Sequence, residues 1–345
     1  MREHELGRSG VKVSELCLGT MTFGQQNTEA EAFELLDRAM DAGINFFDTA
    51  EMYPIPPSAN TCGLTESIIG NWLKQRGRRQ DVILASKVIG QGKWMRHIRR
   101  GRSLPDRENI LEALEGSLER LKTEYIDLYQ IHWPARETNF FGKLGYQPVE
   151  DEPPVSIEST LRALDEIVST GKVRFIGVSN ETPWGVMQYL MDSERFNLPR
   201  IVSIQNPYNL LNRSFEVGLA EIAHREQVGL LAYSPLAFGT LSGKYLQGSP
   251  ENARLSLYPD YARYTKPSGI VATKEYVNLA KSLGLSPAQM ALAYINSRPF
   301  LTSNIIGATS LAQLDENLGS LDLQLEDAVL EQIEAIHARM SNPCP

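Results

Sequence analysis

The sequence predicts an α/β fold of the (β/α)8 TIM-barrel class. It reads as a single domain over residues 1–345, with an N-terminal β-hairpin and an extra C-terminal helix. Three observations carry that reading. Short apolar runs rich in β-branched and aromatic residues alternate with longer amphipathic stretches through almost the whole chain. Most of the apolar runs end in a polar side chain. The first run leads into Gly19-Thr20-Met21-Thr22-Phe23-Gly24, which does not match the GxGxxG turn of an open dinucleotide-binding sheet.

Taken in order, residues 3–13 read as a hairpin turning at Arg8-Ser9-Gly10, able to plug one end of a barrel. Eight strand candidates follow, at 16–18, 44–47, 82–86, 126–131, 173–177, 202–204, 228–232 and 304–306. The stretches between them are long enough for right-handed parallel crossovers. Thr28 and Glu31 have the spacing of a capping box, Phe33, Leu36 and Met40 follow at helical spacing, and Gly43 ends that helix. Asp106 starts a second helix, with Ile110, Leu114, Leu118 and Leu121 on one face. Ser156 starts a third, with Leu161, Leu164 and Val168, and Gly171 stops it. Residues 325–338 read as a terminal helix on the outside. Two stretches, 133–154 and 233–266, are longer than ordinary connections and so are expected to serve function.

Composition narrows the partners. A net charge of -8 favours solubility and argues against a nucleic acid, whose phosphates want a basic face. No apolar stretch is long enough to cross a membrane, and the charged N-terminus lacks a signal core. Cys17, Cys62 and Cys344 are widely spaced, which suggests a reducing, cytoplasmic setting. The five histidines show no ligand spacing, so no metal is expected. A small-molecule substrate remains.

In a parallel barrel all strand ends converge on one mouth. The polar residues there are Thr20, Asp48, Lys87, His132, Ser179, Asn180, Gln205, Asn206, Tyr233 and Ser234, with Tyr53 on the loop leaving the second strand. Taken singly, each of Asp48, Tyr53, Lys87 and His132 reads as a structural residue. Their placement at the ends of three successive strands makes them one site. A free phenol has a pKa of about 10, and Lys87 is expected to lower that of Tyr53 by stabilising the phenolate. Asp48 would hold Lys87 in place, and His132 would donate a hydrogen bond to a substrate oxygen. Together they make a proton donor aimed at a carbonyl. With no nucleophile or metal set beside it, a cofactor is expected to bring the hydride.

Several stretches carry a family resemblance: Leu18-Gly-Thr-Met-Thr-Phe-Gly24, Asp48-Thr-Ala-Glu-Met-Tyr53, Ser86-Lys87, Asp127-Leu-Tyr-Gln-Ile-His132, Gly171-Lys-Val-Arg-Phe-Ile-Gly-Val-Ser-Asn180, Ser234-Pro-Leu236 and Gly307-Ala-Thr309 with Asn317. In this order and spacing the chain resembles the aldo-keto reductase superfamily. Met52-Tyr-Pro-Ile-Pro-Pro57 and the stretches 141–146 and 206–219 resemble its bacterial Tas-type branch. The resemblance implies NADPH-dependent reduction of aldehydes or ketones to alcohols by hydride transfer. Its catalytic tetrad falls on Asp48, Tyr53, Lys87 and His132, with Tyr53 as general acid. It further implies Gly19, Thr20 and Asp48 near the nicotinamide ribose, Ser179, Asn180 and Gln205 on the carboxamide, and Tyr233 stacked on the nicotinamide. Ser234, Leu236, Gly239, Ser242 and Lys244 fall on the pyrophosphate loop, and Gly307, Thr309, Gln313, Glu316 and Asn317 at the adenosine end. Relatives selective for NADPH often carry a basic residue at the positions of Gly307 and Gln313. Here Lys244 and Arg254 are expected to substitute, Arg254 reading equally as an exposed loop charge.

The same resemblance allows a redox-sensing binding subunit like those of potassium channels, and a metal-dependent lyase or isomerase is a further, weaker reading. The basic stretch Lys93-Trp-Met-Arg-His-Ile-Arg-Arg-Gly-Arg102 leaves the mouth after the third barrel strand. It reads first as a solvated mobile loop and second as an attractor for an acidic substrate or the cofactor phosphate. Trp94, Trp133 and the aromatics of 140–146 are candidates for pocket wall or core.

Overall fold

Among the described residues, eight parallel strands close on themselves, each paired with its successor in the chain and the last with the first. The structure is a computed structural model and describes residues 1–92, 95–149 and 153–345. A short antiparallel hairpin, β1 (Glu3–Glu5) and β2 (Lys12–Ser14), comes first. The barrel strands are β3 (Leu16–Gly19), β4 (Phe46–Asp48), β5 (Ile83–Val88), β6 (Ile126–Ile131), β7 (Val173–Ser179), β8 (Ile201–Pro207), β9 (Gly229–Tyr233) and β10 (Leu301–Ile306). Around them lie α1 (Glu29–Asp41), α2 (Leu64–Arg76), α3 (Arg107–Leu121), α4 (Ile157–Ser169), α5 (Pro183–Phe196) and α6 (Leu219–Glu226). A one-turn α7 (Arg254–Leu257) precedes α8 (Pro267–Ser282), α9 (Pro287–Asn296), α10 (Leu311–Leu318) and α11 (Asp327–Arg339).

The helix starts are chemically explicit. Thr28 caps α1 through a full capping box with Glu31, Asp106 caps α3 through the Asn109 N–H, and Ser156 caps α4 through the Ser159 N–H. Gly43 and Gly171 follow their helices at φ 86° and 76°, a backbone that glycine adopts without steric cost.

The core has two shells. The larger lies between the sheet and the helices and contains Leu36, Trp72, Leu114, Leu164 and Tyr294. The smaller lies inside the barrel, where Cys17, Phe46, Ala85, Leu128, Leu231 and Ile305 meet Leu6 and Val13 of the hairpin. The hairpin therefore plugs the bottom, as its position in the sequence suggested. Alternate residues of a strand face the same side, so two steps beyond these apolar positions the inward residues become Gly19, Asp48, Lys87, Gln130 and Tyr233. Gly177 makes room here, since a Cβ at that position would stand 2.5 Å from Ser203 Oγ and 3.3 Å from Gln130 Cγ.

Several boundaries differ from the sequence expectation. The second barrel strand starts later, at Phe46, and β5, β7, β8 and β9 run past the apolar residues to take in Lys87, Ser179, Gln205, Asn206 and Tyr233. Lys87, Ser179, Gln205 and Tyr233 find partners at the barrel mouth, and Asn206 bonds the Glu181 backbone just after β7. The stretch 233–266 is not a bare loop, because short helical turns at Ala237–Ser242 and Ala262–Tyr264 flank α7. The segment 95–102 is not simply solvated, because Met95, Ile98 and the Arg99 side chain are buried. Lys93 and Trp94 lie outside the described residues.

Candidate active site

β4, β5 and β6 bring Asp48, Lys87 and His132 side by side at the mouth. The Lys87 ammonium is completely buried. It donates to Asp48 Oδ2 at 2.6 Å, to the Thr49 carbonyl at 2.7 Å and to the Tyr53 hydroxyl at 3.4 Å. Asp48 Oδ1 accepts from Gln205 Nε2 at 2.8 Å and from Gln130 Nε2 at 3.3 Å, so both carboxylate oxygens are held. Such a group is tolerable in a barrel interior because its charge is paired and its lone pairs are used. Tyr53 reaches the cluster from a turn. Its N–H donates to the Ala50 carbonyl at 3.1 Å, and its own carbonyl accepts from the Gly63 N–H at 3.0 Å. The Tyr53 and His132 rings stand edge-on with centroids 5.9 Å apart.

The electrostatics correct one expectation. Burial pushes the Tyr53 phenol above its usual pKa of 10.0. Lys87 pulls it down but does not win, and Asp48 adds to the rise. Burial works to lower the Lys87 pKa, yet the adjacent Asp48 and Tyr53 outweigh it and the net shift is upward. Burial, then the Lys87 charge, holds the His132 imidazole well below 6.5, so it is neutral at physiological pH. Its Nδ1 is buried with no hydrogen-bond partner among the described residues.

Beyond this cluster opens a cavity of about 1150 Å³. That exceeds the roughly 300–1,000 Å³ of pockets for single drug-sized ligands. Asp48, Tyr53 and His132 line it, and Lys87 sits behind them. Gly19, Thr20, Ser179, Asn180, Gln205, Tyr233, Ser234, Leu236, Gly239, Ser242, Lys244, Arg254, Gly307, Thr309, Gln313, Glu316 and Asn317 also line it. The structure thus brings the sequence candidates, from strand ends all round the barrel and from the loops that leave them, onto one surface.

Local bonds order that surface. Thr20 Oγ1 donates to the Asp48 carbonyl at 2.8 Å, and Ser179 Oγ donates to the Gln205 carbonyl at 2.8 Å. Asn180 Nδ2 donates to the His132 carbonyl at 2.9 Å, and its Oδ1 accepts from the Tyr233 hydroxyl at 2.7 Å. Asn180 and Ser234 both sit at φ 54°, and Ala237, Phe238 and Gly239 form a left-handed run at 49°, 58° and 86°. Such backbone is sparsely populated for residues with a Cβ and concentrates at functional sites. At the far end Gln313 Oε1 accepts from the Thr309 N–H at 3.0 Å, and Asn317 Nδ2 donates to the Gly307 carbonyl at 3.1 Å.

Lys244, Arg254, Arg263 and Lys266 line the cavity, none with an ion pair among the described residues. Arg254 lies over the Phe238 ring at 4.2 Å and the Tyr261 ring at 5.5 Å, and burial pushes its pKa down to about 10. Arg254 is therefore not the exposed loop charge of the alternative reading. Burial also lowers the Lys244 pKa, against a raising pull from Glu316. Trp133 and Phe141 line the cavity, with ring centroids 5.8 Å apart, whereas Leu144 and Tyr146 point to solvent. Sequence reasoning overlooked Met21, Met52, Ile55 and Arg263 on the wall and Gln130 beneath Asp48. Gln130 was readable as an inward residue, two positions before His132 on the same strand. Arg263 carried no local signal.

A buried cluster of ionisable side chains thus stands at the C-terminal mouth of a parallel barrel and opens on a large groove, the place where barrel enzymes keep their active sites. The model of the aldo/keto reductase family matches residues 15–338, and the chain belongs to that family. It is 53% identical over the full length of both chains to Protein tas of Escherichia coli (strain K12). It is 36% identical to an uncharacterized oxidoreductase, YrpG, of Bacillus subtilis (strain 168), over 96% of this chain and 94% of that one. It is 34% identical to a probable voltage-gated potassium channel subunit beta of Oryza sativa subsp. japonica, over 97% and 96%. The family generally uses NAD(P)H and acts on small-molecule substrates. The residues present fit such a group, with cations that make no ion pair among the described residues, the Tyr233 ring and His132 all lining the groove. Among the described residues no helix is long and apolar enough to cross a membrane, and no His, Cys, Asp and Glu cluster could hold a metal ion.

Proposed function

We propose that the protein is a cytoplasmic NADPH-dependent carbonyl reductase in which Tyr53 is the general acid. One observation carries this reading: the buried Lys87 ammonium lies 2.6 Å from Asp48 and 3.4 Å from the Tyr53 hydroxyl, beside a neutral His132 on the same cavity. The cofactor, when bound, supplies the hydride that reaches the carbonyl carbon. The chain's own part is to hold the carbonyl oxygen and give it a proton. The neutral His132 donates an N–H to that oxygen and orients it. Tyr53 passes its proton as negative charge builds there, and the Lys87 ammonium stabilises the phenolate left behind. Asp48 keeps Lys87 charged and fixed. The raised pKa of Tyr53 keeps the phenol protonated at neutral pH, the state a proton donor needs.

In this reading Gly19, Thr20 and Asp48 flank the ribose, Ser179, Asn180 and Gln205 take the carboxamide, and Tyr233 stacks on the nicotinamide. Ser234, Leu236, Gly239, Ser242 and Lys244 cover the pyrophosphate. Gly307, Thr309, Gln313, Glu316 and Asn317 receive the adenosine end, with Arg254 and Lys244 supplying the positive charge that favours the 2′-phosphate of NADPH.

Fluorescence titration with NADPH and NADH, followed by an aldehyde and ketone panel read by NADPH absorbance, tests the proposal. Turnover with a kcat/KM preference for NADPH is expected. Comparable kcat/KM with NADH would overturn the cofactor choice. Tight cofactor retention without turnover of any carbonyl would favour a binding subunit, in line with the likeness to the rice potassium channel subunit beta.

A further inference from the structure

The basic stretch after β5 has an internal job that its composition does not suggest. Arg99, at φ 44°, turns its guanidinium away from solvent and onto Glu51, two residues before Tyr53. Arg99 Nη2 donates to Glu51 Oε1 at 2.9 Å, Nη1 bonds Glu51 Oε2, and Nε donates to Asn109 Oδ1 at 3.0 Å. Glu51 Oε1 also accepts from the Ile89 N–H at 2.8 Å, and the Glu51 N–H donates to the Lys87 carbonyl at 3.2 Å. Both side chains are about as buried as core residues, at 6% and 5% exposure. Met95 and Ile98, from the same segment, pack in one apolar cluster with Met52, Tyr53 and Trp133.

This arrangement is costly for a merely stabilising contact. A buried ion pair gains little over an apolar pair of the same shape, because both charges lose their hydration. What a two-pronged Arg–carboxylate contact adds is a defined orientation. The turn it orients carries the phenol, and the phenol's contact with Lys87, at 3.4 Å, is at the long limit of a hydrogen bond. A shift of a few tenths of an ångström at the turn would break that contact.

We propose that the Glu51–Arg99 pair is a positioning device: it clamps the turn that carries Tyr53 to the end of β5 and to α3, and so sets the distance from Tyr53 to Lys87. Neither residue reaches the cavity, and both act through Tyr53. The inference rests on the reading of Tyr53 as general acid.

Kinetics on Arg99→Lys, Arg99→Met, and the neutral pair Glu51→Gln with Arg99→Met test it, with Tyr53→Phe as control. The double variant leaves no unpaired buried charge, so it remains informative where Arg99→Met fails to fold. The expected result is a kcat lower by about ten- to a hundredfold in Arg99→Lys and the double variant, the cost of a misplaced reacting group. Cofactor Kd stays within about twofold of wild type, since the cofactor-facing walls are untouched. The solvent deuterium isotope effect on kcat rises above wild type, because proton delivery becomes slower. Wild-type kcat and isotope effect in a folded double variant would overturn the proposal and leave the pair a packing feature. The control separates the two ideas: an active Tyr53→Phe overturns the general-acid reading itself, whereas an inactive Tyr53→Phe beside wild-type pair variants overturns only the clamp.

Discussion

The two ends of the barrel are made from the same strands and do opposite work. At the bottom Phe46, Ala85 and Leu128 meet the hairpin's Leu6 and Val13 in a dry cluster. At the top, one inward step along the same strands, stand Asp48, Lys87 and Gln130, followed by His132. A step of two residues along a strand is about 6.6 Å. Over that distance the interior changes from apolar packing to a buried charge network. The comparison teaches that the alternation of a strand separates stability from chemistry. The bottom layer anchors strands that are short and tilted, and the anchored strands deliver polar groups to fixed positions at the other end.

The sharpest way to break this comparison is to change the bottom and look at the top. Phe46→Ala should cost about 3–5 kcal/mol of stability, as buried aromatic truncations do. It should leave kcat of the folded fraction unchanged. Denaturant unfolding beside steady-state kinetics checks this. A large loss of kcat without loss of stability would show that the two ends are not separate.

A change at the top's rim should have a smaller effect, confined to binding. Arg254 has no carboxylate partner among the described residues and faces the groove. Arg254→Ala removes a charge-assisted contact worth about 1.5–3 kcal/mol. The Kd for NADPH should therefore rise about tenfold or more, and that for NADH should change little. Equal changes for both cofactors would mean that Arg254 only covers the groove.

The smallest effect is in pH. The His132 pKa lies well below 6.5 in the folded chain. The imidazole is therefore neutral on both sides of pH 6.5, and kcat/KM should show no His132 inflection between about pH 6 and 8. Stability has the opposite sensitivity. Below about pH 6.5 the unfolded chain takes up a proton on this residue and the folded chain does not, so stability falls as pH falls. His132→Gln should flatten that loss in a Tm-against-pH series.

Much of this was legible in the residues, for a physical reason. Helix starts announce themselves because capping is local: Thr28, Asp106 and Ser156 each bond a backbone N–H three residues on. The mouth was legible because strand ends in a parallel barrel converge, so Asp48, Lys87 and His132 needed only their parity and position. The clamp between Glu51 and Arg99 was not. Its partners are 48 residues apart, and a basic run on a loop reads as solvated until its backbone turn is known. The direction of the Tyr53 shift was missed for a related reason. Charge neighbours can be named from motifs, but the depth of burial that outweighs them depends on Met95, Ile98 and Trp133 closing over the turn. The strands β7 and β8 outran their apolar residues because interior polar partners, such as Gln205 to Asp48, come from across the barrel.

The most direct test of the central claim is Tyr53→Phe, with kcat for a good aldehyde and Kd for NADPH measured on the same preparation. The account predicts a loss of kcat of about 10²–10⁴-fold, the usual contribution of a positioned general acid, with the Kd nearly unchanged. A variant that reduces the aldehyde at the wild-type rate would contradict it.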